Sequence, residues 1–412
     1  MSDHPITKFL DRMFKTPAEK IGAVSPVPSN CCTDKPIETF SPGVLFEGVF
    51  SGWSGYAKAG REIAFRLANH LYVQVQHALR PGGSHFPSEI RISALERIYV
   101  PDTSPWLRFF GPDAKAVPRG KRHKIVYTMM ETEVIHPDMV LQINSRFDEL
   151  WTPTQWNADV FAKSGVVVPI KTVHLGVDGT IYRPIRGAKL PKCKLLSTQR
   201  AGAEEIPEGF LFISVGLPSF RKGFDFLLRA FEIVFAKDRD CALICAVTHS
   251  SSNVPDLAAC REMKSRIYAL EGHYDEHQMA RIYSACNAYV TASRGEGWNL
   301  PLCEAAACGL PVICGANTSH NEVAGPDAFM FRPEGSAPVV GAESVSPWYK
   351  GVPFTVFGKK SLAELVDLLK VVRAGGSKVQ QKTDRLRKKV LRDWTWDSTA
   401  RLIASRLLEL QP

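Results

Sequence analysis

Apolar runs and amphipathic stretches alternate along most of this chain. Val44–Phe50 is an apolar run, Ser51-Gly-Trp-Ser-Gly55-Tyr56 is a glycine-bearing loop, and Ala57–Leu71 has helical spacing. Strand, loop and helix in that order open a parallel α/β unit. Lys124–Met130 continues as a strand, Met139–Leu150 as a helix, Glu149–Thr152 as a strand and Asn157–Ser164 as a helix; Lys171–His174 is a strand that runs into Leu-Gly176-Val-Asp178. Between them, Gly82–Lys124 is irregular and carries many Pro and Gly. Residues 185–208 lose the hydrophobic period and gain charge, which marks a domain boundary. A second series follows: strand Phe210–Val215, helix Phe224–Phe235, strand Cys241–Val247, helix Glu276–Cys286, strand Ala288–Ala292, helix Pro301–Cys308 and strand Val312–Cys314. Met263–Leu270 has no clear period, Ser361–Val372 reads as a helix with Ser361 at its N-cap, and Asp397–Leu410 is the last helix. The two series predict an α/β chain of two Rossmann-like domains, residues 43–195 and 196–390, behind an extension over 1–42. Ligands of such sheets bind beyond the carboxyl ends of the strands, so a cleft between the domains is the expected site.

Composition narrows the class. The chain has 412 residues, 45% hydrophobic and 23% charged, which excludes a disordered chain. No apolar run reaches the roughly 18–20 residues that span a bilayer, and the first residues lack a signal-peptide apolar core. In the extension, Ile6, Phe9, Leu10, Met13 and Phe14 fall at helical spacing beside Lys8, Arg12 and Lys15. They predict a short helix packed on the body, with a membrane-surface helix as the other reading. The ten Cys form no CxxC pair, and Cys241, Cys245, Cys303, Cys308 and Cys314 sit inside apolar runs, as Cys does in a reducing compartment. A cytoplasmic protein is expected, with peripheral membrane contact left open. Lys+Arg exceeds Asp+Glu by 51 to 42, a formal +9, which favours anionic partners such as nucleotides, nucleic acid or anionic lipid.

Four segments carry chemistry. In Ser293-Arg-Gly-Glu296-Gly-Trp-Asn299-Leu300-Pro-Leu-Cys-Glu304, two carboxylates stand eight positions apart and Pro301 marks a helix start. The amides of Asn299 and Leu300 at that start make a place for phosphate. Glu304, one turn further in, can accept hydrogen bonds from ribose hydroxyls, and Glu296 in the loop can bind the hydroxyls of a neutral sugar. In Val215-Gly216-Leu-Pro-Ser-Phe-Arg221-Lys222-Gly223, two cations stand beside a helix start and suit a diphosphate. The loop Gly52-Trp53-Ser-Gly55-Tyr56 is shorter on glycine than a dinucleotide fingerprint. In Val126-Tyr-Thr-Met-Met-Glu131-Thr-Glu133 and His136, either Glu131 or His136 can face the cleft, or Glu131 caps a helix.

The segment from Ser293 to Pro311 resembles the E-x7-E motif of the retaining glycosyltransferases of family four (glycosyl transferases group 1), and Gly272–Tyr283, Gly309-Leu-Pro-Val and Asn321-Glu322-Val resemble its flanks. The resemblance runs from about Gly43 to the C-terminus and is strongest over 210–325. It implies the GT-B fold: two Rossmann-like domains facing across a cleft, an N-terminal acceptor domain, a C-terminal nucleotide-sugar domain, and residues 391–412 as a helix crossing back, with Trp394 and Trp396 at the crossing. By the resemblance, Glu304 binds the nucleotide ribose and Glu296 the donor sugar. Gly216 and Lys222-Gly223 match the family's diphosphate loop, but Leu217 stands where the family has Arg; Arg221 is offered as its replacement by inference. The Gly52–Gly55 loop lies near the donor phosphates, with Trp53, Tyr56, His136 and His174 on the acceptor side, and His174-Leu-Gly176-Val-Asp178 shapes the cleft floor and hinge.

The implied reaction is transfer from a UDP- or GDP-linked sugar to an acceptor hydroxyl with retained configuration, without metal or cofactor. Lys222, Arg221, Glu296 and Glu131 form the catalytic group. The acceptor is open: a glycan, a lipid-linked sugar, a small molecule or a modified nucleic-acid base. Two rival readings remain, a sugar-nucleotide epimerase of the same fold and a nucleic-acid-binding protein. Asp238-Arg-Asp240 mimics a DxD metal motif but falls where a charged turn is expected. The basic stretches Arg119–Lys124 and Lys378–Arg392 are solvated faces or docking patches for lipid or nucleic-acid phosphates. Gly335–Phe357, with Trp348 and Tyr349, is an insertion relative to the family, either a flap or a cover for the sheet.

Overall fold

The computed structural model describes residues 40–411, apart from 79–88, 114–116, 119, 199, 218, 249–256, 258, 341, 343 and 344. Arg119 and the helix expected around Ile6–Phe14 lie outside the described residues. The chain divides into two compact units. The first holds residues up to Thr128, Arg146–Leu150 and Thr399 onward; the second holds Met129–Ser145 and Trp151–Ser398.

The elements in chain order begin with β1 (Gly43–Gly48), α1 (Gly55–Leu67), β2 (Tyr72–His77), α2 (Glu89–Leu95), β3 (Trp106–Phe109), β4 (Lys124–Tyr127), α3 (Pro137–Arg146), β5 (Glu149–Thr152), α4 (Gln155–Lys163) and β6 (Ile170–Thr172). These six strands form one sheet of order β2-β1-β3-β4-β5-β6. β1 pairs in parallel with β2 and β3, and β3 with β4.

Three readings of this region are corrected. The helix from Ala57 does not reach Leu71: it ends at Leu67, and a turn through Asn69 and His70 leads into β2, where Val73 and Val75 are buried and Tyr72 and Gln74 half-buried. The period of two in β2 merges with the helical pattern in front of it. Met139–Leu150 is cut at Arg146, because Glu149 already belongs to β5. The irregular Gly82–Lys124 holds α2 and β3, whose Trp106 and Phe109 are fully buried.

A second sheet follows, with β7 (Cys193–Leu195), β8 (Glu204–Glu205), β9 (Phe210–Val215), α5 (Phe224–Phe235), β10 (Cys241–Val247), β11 (Arg266–Glu271), α6 (Glu276–Ser284), β12 (Ala288–Val290), α7 (Leu300–Ala307), β13 (Val312–Gly315), α8 (His320–Val323) and β14 (Phe329–Phe331). Its order is β14-β13-β12-β9-β10-β11-β7-β8, with β7 and β8 antiparallel at one edge. β9, α5 and β10 have the bounds expected from their patterns. α5 buries Phe224, Leu227, Leu228 and Phe231 against the sheet. The unclear stretch near Met263 is β11, and the charged 185–208 region contributes the edge strands β7 and β8.

The chain ends with the hairpin β15 (Gly335–Pro338) and β16 (Pro353–Val356), then α9 (Lys359–Ala374), α10 (Ser377–Asp393) and α11 (Trp396–Glu409). Ser361 is not the N-cap of α9, which is Gly358. Ser361 sits three residues in, where its Oγ accepts from the Gly358 N–H at 3.3 Å and donates to the Arg332 carbonyl at 2.7 Å. α11 leaves the second unit after Ser398, and its residues from Thr399 on belong to the first.

Before that departure the chain runs against His174–Asp178. The Val177 N–H donates to the Trp394 carbonyl at 2.9 Å, and a Cβ on Gly176 would stand 2.3 Å from the Trp396 nitrogen. Gly176 is therefore a position of close backbone approach. Gly176→Val is expected to lower stability by about 3 kcal/mol, the upper range for forced overpacking, read by urea unfolding.

Candidate functional site

Counted from β9, the second sheet runs 3-2-1-4-5-6, a doubly wound order whose strand direction of travel reverses between β9 and β12. The crevice beyond the carboxyl ends of those two strands is where such sheets bind ligands. After β9 comes Gly216, then the 3-10 turn Phe220–Lys222; after β12 comes the loop from Thr291 to Asn299. The two loops are tied together. The Arg294 N–H donates to the Arg221 carbonyl at 2.7 Å, and the Arg294 guanidinium holds Asp225 at 2.7 and 2.9 Å.

Four charges meet there. Lys222 Nζ donates to Glu296 Oε1 at 2.6 Å. Arg221 donates to Glu296 Oε2 at 3.2 Å and to the Gly295 carbonyl at 2.7 Å, and lies 3.9 Å from Glu131. The Lys222 stem lies across Gly216, where a Cβ would come within 3.0 Å of it. Burial alone would raise the Glu296 carboxyl; Lys222 and Arg221 more than offset this and hold it at about 2. Burial likewise opposes the charge on Arg221, and Glu296 and Glu131 overcome it.

Glu131 reaches this group because the segment Met129–Glu131 lies flat against the loop that carries Glu296. A Cβ on Gly295 would fall 1.9 Å from the Glu131 carbonyl, and one on Gly297 2.5 Å from the Met129 side chain. The glycines on either side of Glu296 are what admit that segment. Asn157, fully buried, fixes the contact: its Oδ1 accepts from the Met130 N–H at 2.9 Å and its Nδ2 donates to the Gly297 carbonyl at 3.2 Å.

The start of α7 is built as tightly. Asn299 is its N-cap in a left-handed conformation (φ 80°), with Oδ1 accepting from the Leu302 N–H at 3.1 Å. Its Nδ2 faces His320 Nε2 at 2.9 Å, and His320 Nδ1 meets the Gly315 carbonyl at 3.1 Å. Both bonds are made when His320 is neutral with its proton on Nδ1, and burial pushes its pKa down in agreement. The Glu296 N–H donates to Thr318 Oγ1 at 3.1 Å, with Thr318 itself at φ 48°. Glu304 is buried one turn into α7 and accepts from the Tyr283 hydroxyl at 3.0 Å. Glu322 caps α4, accepting from the Gln155 and Trp156 N–H groups at 3.1 Å each.

Gly216, Arg221, Lys222, Glu296, Asn299, Leu300, Glu304 and Glu131 thus belong to one unit, and Glu131, Arg221, Lys222 and Glu296 form one cluster. Glu131 caps no helix. It accepts from the Tyr349 hydroxyl at 2.8 Å. His136 instead opens α3, where its Nδ1 accepts from the Asp138 N–H at 3.3 Å and its carbonyl from the Met139 N–H. His174 packs on Trp394 (5.2 Å) and Trp298 (6.4 Å), with burial pushing its pKa down. In the first unit, Gly52 (φ 92°) and Trp53 precede Ser54, the N-cap of α1, whose first residue is Gly55. The buried Arg61 gathers this loop through the Phe50 and Gly52 carbonyls at 2.8 and 2.9 Å, and Tyr56 packs on Phe109 and Phe110.

Sequence reading missed Asn157, Thr318, His320 and Arg61, and named Tyr283 and Tyr349 only as members of a family flank and of the insertion. Asn157 stands three residues after the N-cap Thr154, as any helix-start polar residue does. Glu322 was named in the Asn321-Glu322-Val flank, and His320 stands directly before that flank.

Part of the basic run of α10 is engaged within the fold. Lys382 donates to the Pro326 and Ala328 carbonyls, Arg387 to Ala307 at 3.0 Å and Lys389 to Glu322 at 2.7 Å. Arg385 pairs with Asp327 and Arg392 with Asp393. In the other run, Arg122 is buried on the Pro101 and Ser104 carbonyls and Asp102. Asp238 accepts from the Asp240 N–H at 2.9 Å, closing the turn expected there.

Residues 209–342 match the family model described as glycosyl transferases group 1. The match covers about a third of the chain. Among sequences, this chain is similar to the serotype-specific mannosyltransferase WbdA of Escherichia coli, 32% identical over 189 residues, which are 44% of this chain and 22% of that protein. It is also similar to mannosylfructose-phosphate synthase of Agrobacterium fabrum, 23% identical over 154 residues, 35% of this chain and 32% of that protein. The chain therefore spans a fifth to a third of the length of these relatives. Its fold is the GT-B fold of sucrose-phosphate synthase from Thermosynechococcus elongatus (TM-score 0.63, 13% identity, 89% of this chain and 98% of that one). Anabaena HepE, solved with UDP and glucose, shares it (TM-score 0.59, 12% identity, 89% and 99%). No helix among the described residues is long and apolar enough to cross a membrane.

The Glu296 carboxyl sits below its ordinary 4.5 in the fold, so its contribution is full above that value and is lost as pH falls from 4.5 through about 2. The share is on the order of 3 kcal/mol. Glu296→Gln should abolish this acid dependence and, by leaving Lys222 without a carboxylate and Arg221 with only the more distant Glu131, cost about 3–5 kcal/mol at pH 7. Urea unfolding across pH 2–7 reads both.

Proposed function

We propose that the chain transfers a hexose from a nucleoside-diphosphate sugar to an acceptor hydroxyl, with retention of anomeric configuration and without a metal. The observation that carries this is the Lys222–Glu296–Arg221 cluster at the reversal point of the second sheet, next to the N-terminus of α7. Lys222 and Arg221 neutralise the departing diphosphate, as fixed charges aimed at where negative charge develops. They supply what a metal supplies to phosphates elsewhere. Leu217, in the family's Arg position, is 48% exposed, while Arg221 enters the cluster, which supports Arg221 as its replacement.

The amides at the start of α7 favour the phosphates. Glu304, held by Tyr283, takes the ribose hydroxyls, and Glu296 takes hydroxyls of the donor sugar. The acceptor oxygen bonds to the anomeric carbon on the face from which the diphosphate leaves. The carbon–oxygen bond to the diphosphate breaks, and the acceptor proton passes to the leaving phosphate oxygen. The relatives named as mannosyltransferases make mannose the first donor sugar to try, and HepE with UDP and glucose makes UDP-glucose the second. The internal bonds of Lys382, Arg387 and Lys389 take three of α10's cations out of the nucleic-acid and membrane readings, while Lys378, Arg385, Lys388 and Arg392 stay exposed.

UDP or GDP should raise the thermal midpoint, by an amount equivalent to about 2.7 kcal/mol at a hundredfold excess over Kd. Lys222→Ala should lower donor turnover about 10²–10³-fold, and Glu304→Ala should abolish the UDP or GDP shift, both with the fold kept by circular dichroism. Full turnover in both variants refutes the assignment.

A further inference from the structure

The insertion 335–357 is anchored on the candidate donor loops. Phe354 of β16 packs edge-on against Phe220 of the Arg221 turn at 4.9 Å, and Tyr349 packs on Phe354 at 4.9 Å. Asn317 donates to Thr355 Oγ1 at 3.1 Å, and the Thr355 N–H donates to the Arg294 carbonyl at 3.3 Å. The 3-10 turn Pro347–Tyr349 is thereby delivered to the segment that follows β4: Tyr349 bonds Glu131, and the Trp348 ring stands 6.2 Å from His136 in an edge contact.

Resting on the glycosyltransferase reading above, we infer that Trp348, Tyr349, His136 and Glu131 form the acceptor subsite, and that it takes a neutral hexopyranoside. A pyranose presents an apolar C–H face and a rim of hydroxyls, which an aromatic plane beside a carboxylate matches. Trp348 is half-buried, so its indole retains open surface. Glu131 uses Oε2 for Tyr349, while Oε1 lies 3.9 Å from Arg221, beyond hydrogen-bond distance, and keeps capacity to accept a sugar hydroxyl. The same carboxylate argues against a phosphorylated sugar: the cation beside it, Arg221, is assigned in the donor reading to the diphosphate, and Glu133 and Asp138 add further exposed acidic groups to this segment. The link from Glu131 through Arg221 to Glu296 sets an acceptor here next to the proposed donor sugar. Tyr349 acts as a positioning residue, holding the Glu131 carboxylate.

Saturation-transfer NMR on the full chain with UDP or GDP, using methyl α-mannopyranoside, methyl α-glucopyranoside and mannose 6-phosphate as probes, tests this. At least one methyl glycoside should receive saturation and mannose 6-phosphate should not. Trp348→Leu should abolish the signal, Trp348→Phe should keep part of it, and Tyr349→Phe should weaken glycoside binding about tenfold, all with nucleotide affinity within twofold of the parent. No transfer to either glycoside, equal transfer in Trp348→Leu, or stronger transfer to the phosphate overturns the subsite. Failure of UDP and GDP to bind the parent chain overturns the donor reading instead, and the glycoside signal still decides this one.

Discussion

A carboxylate buried between a lysine and an arginine is stable only while both cations stay, and each cation is tolerated only because the carboxylate is there. Glu296 is that carboxylate, and the surrounding structure serves the triangle it makes with Lys222 and Arg221. Gly216 clears room for the lysine stem, the Gly295 carbonyl takes one guanidinium proton, and Thr318 accepts the Glu296 N–H. The cluster is nearly neutral in charge, with two cations against Glu296 and Glu131. On the donor reading proposed above, an incoming diphosphate meets cations already fixed in place, the arrangement that costs no reorganisation at the moment of reaction.

The triangle also depends on a backbone contact. Met129–Glu131 can lie against the Glu296 loop only because residues 295 and 297 have no side chain, and Asn157 spans the two backbones with one amide. Glu131 and Glu296 are 165 positions apart in the chain, yet the distance between their loops is set by main-chain van der Waals contact rather than by the reach of flexible side chains. Close packing of this kind has two states, made or broken, and does not stretch.

The legible parts of the sequence were those whose signal is local. β9, α5 and β10 were readable to the residue because each is a run of one period between charged or glycine-bearing breaks. The Glu296 and Glu304 pair was readable because both lie in one loop-to-helix segment. β2 was lost because its alternation of Val73 and Val75 with Gln74 and Gln76 begins where a helical pattern fades, and both share the apolar Leu67 and Leu71. β7 and β8 were lost because two or three residues at a sheet edge carry too little pattern to stand out from a charged linker. Tyr349 was out of reach, since its bond to Glu131 spans 218 positions and nothing near either residue signals the other. The choice between Glu131 and His136 depended on packing the sequence does not carry: Glu131 reaches Arg221, while His136 starts a helix and meets Trp348.

The lysines and arginines of α10 carry a consequence for how this protein meets its ligands. Lys382, Arg387 and Lys389 end on main-chain carbonyls, where they cancel the partial negative charge that helix and turn termini leave behind. A carbonyl is neutral overall, so each of these cations is fixed in place yet keeps its full charge in the far field. The formal +9 therefore still acts on an approaching anion. On the donor reading, capture combines this net field with local focusing at the second sheet's crevice, so the association rate should fall as ionic strength rises.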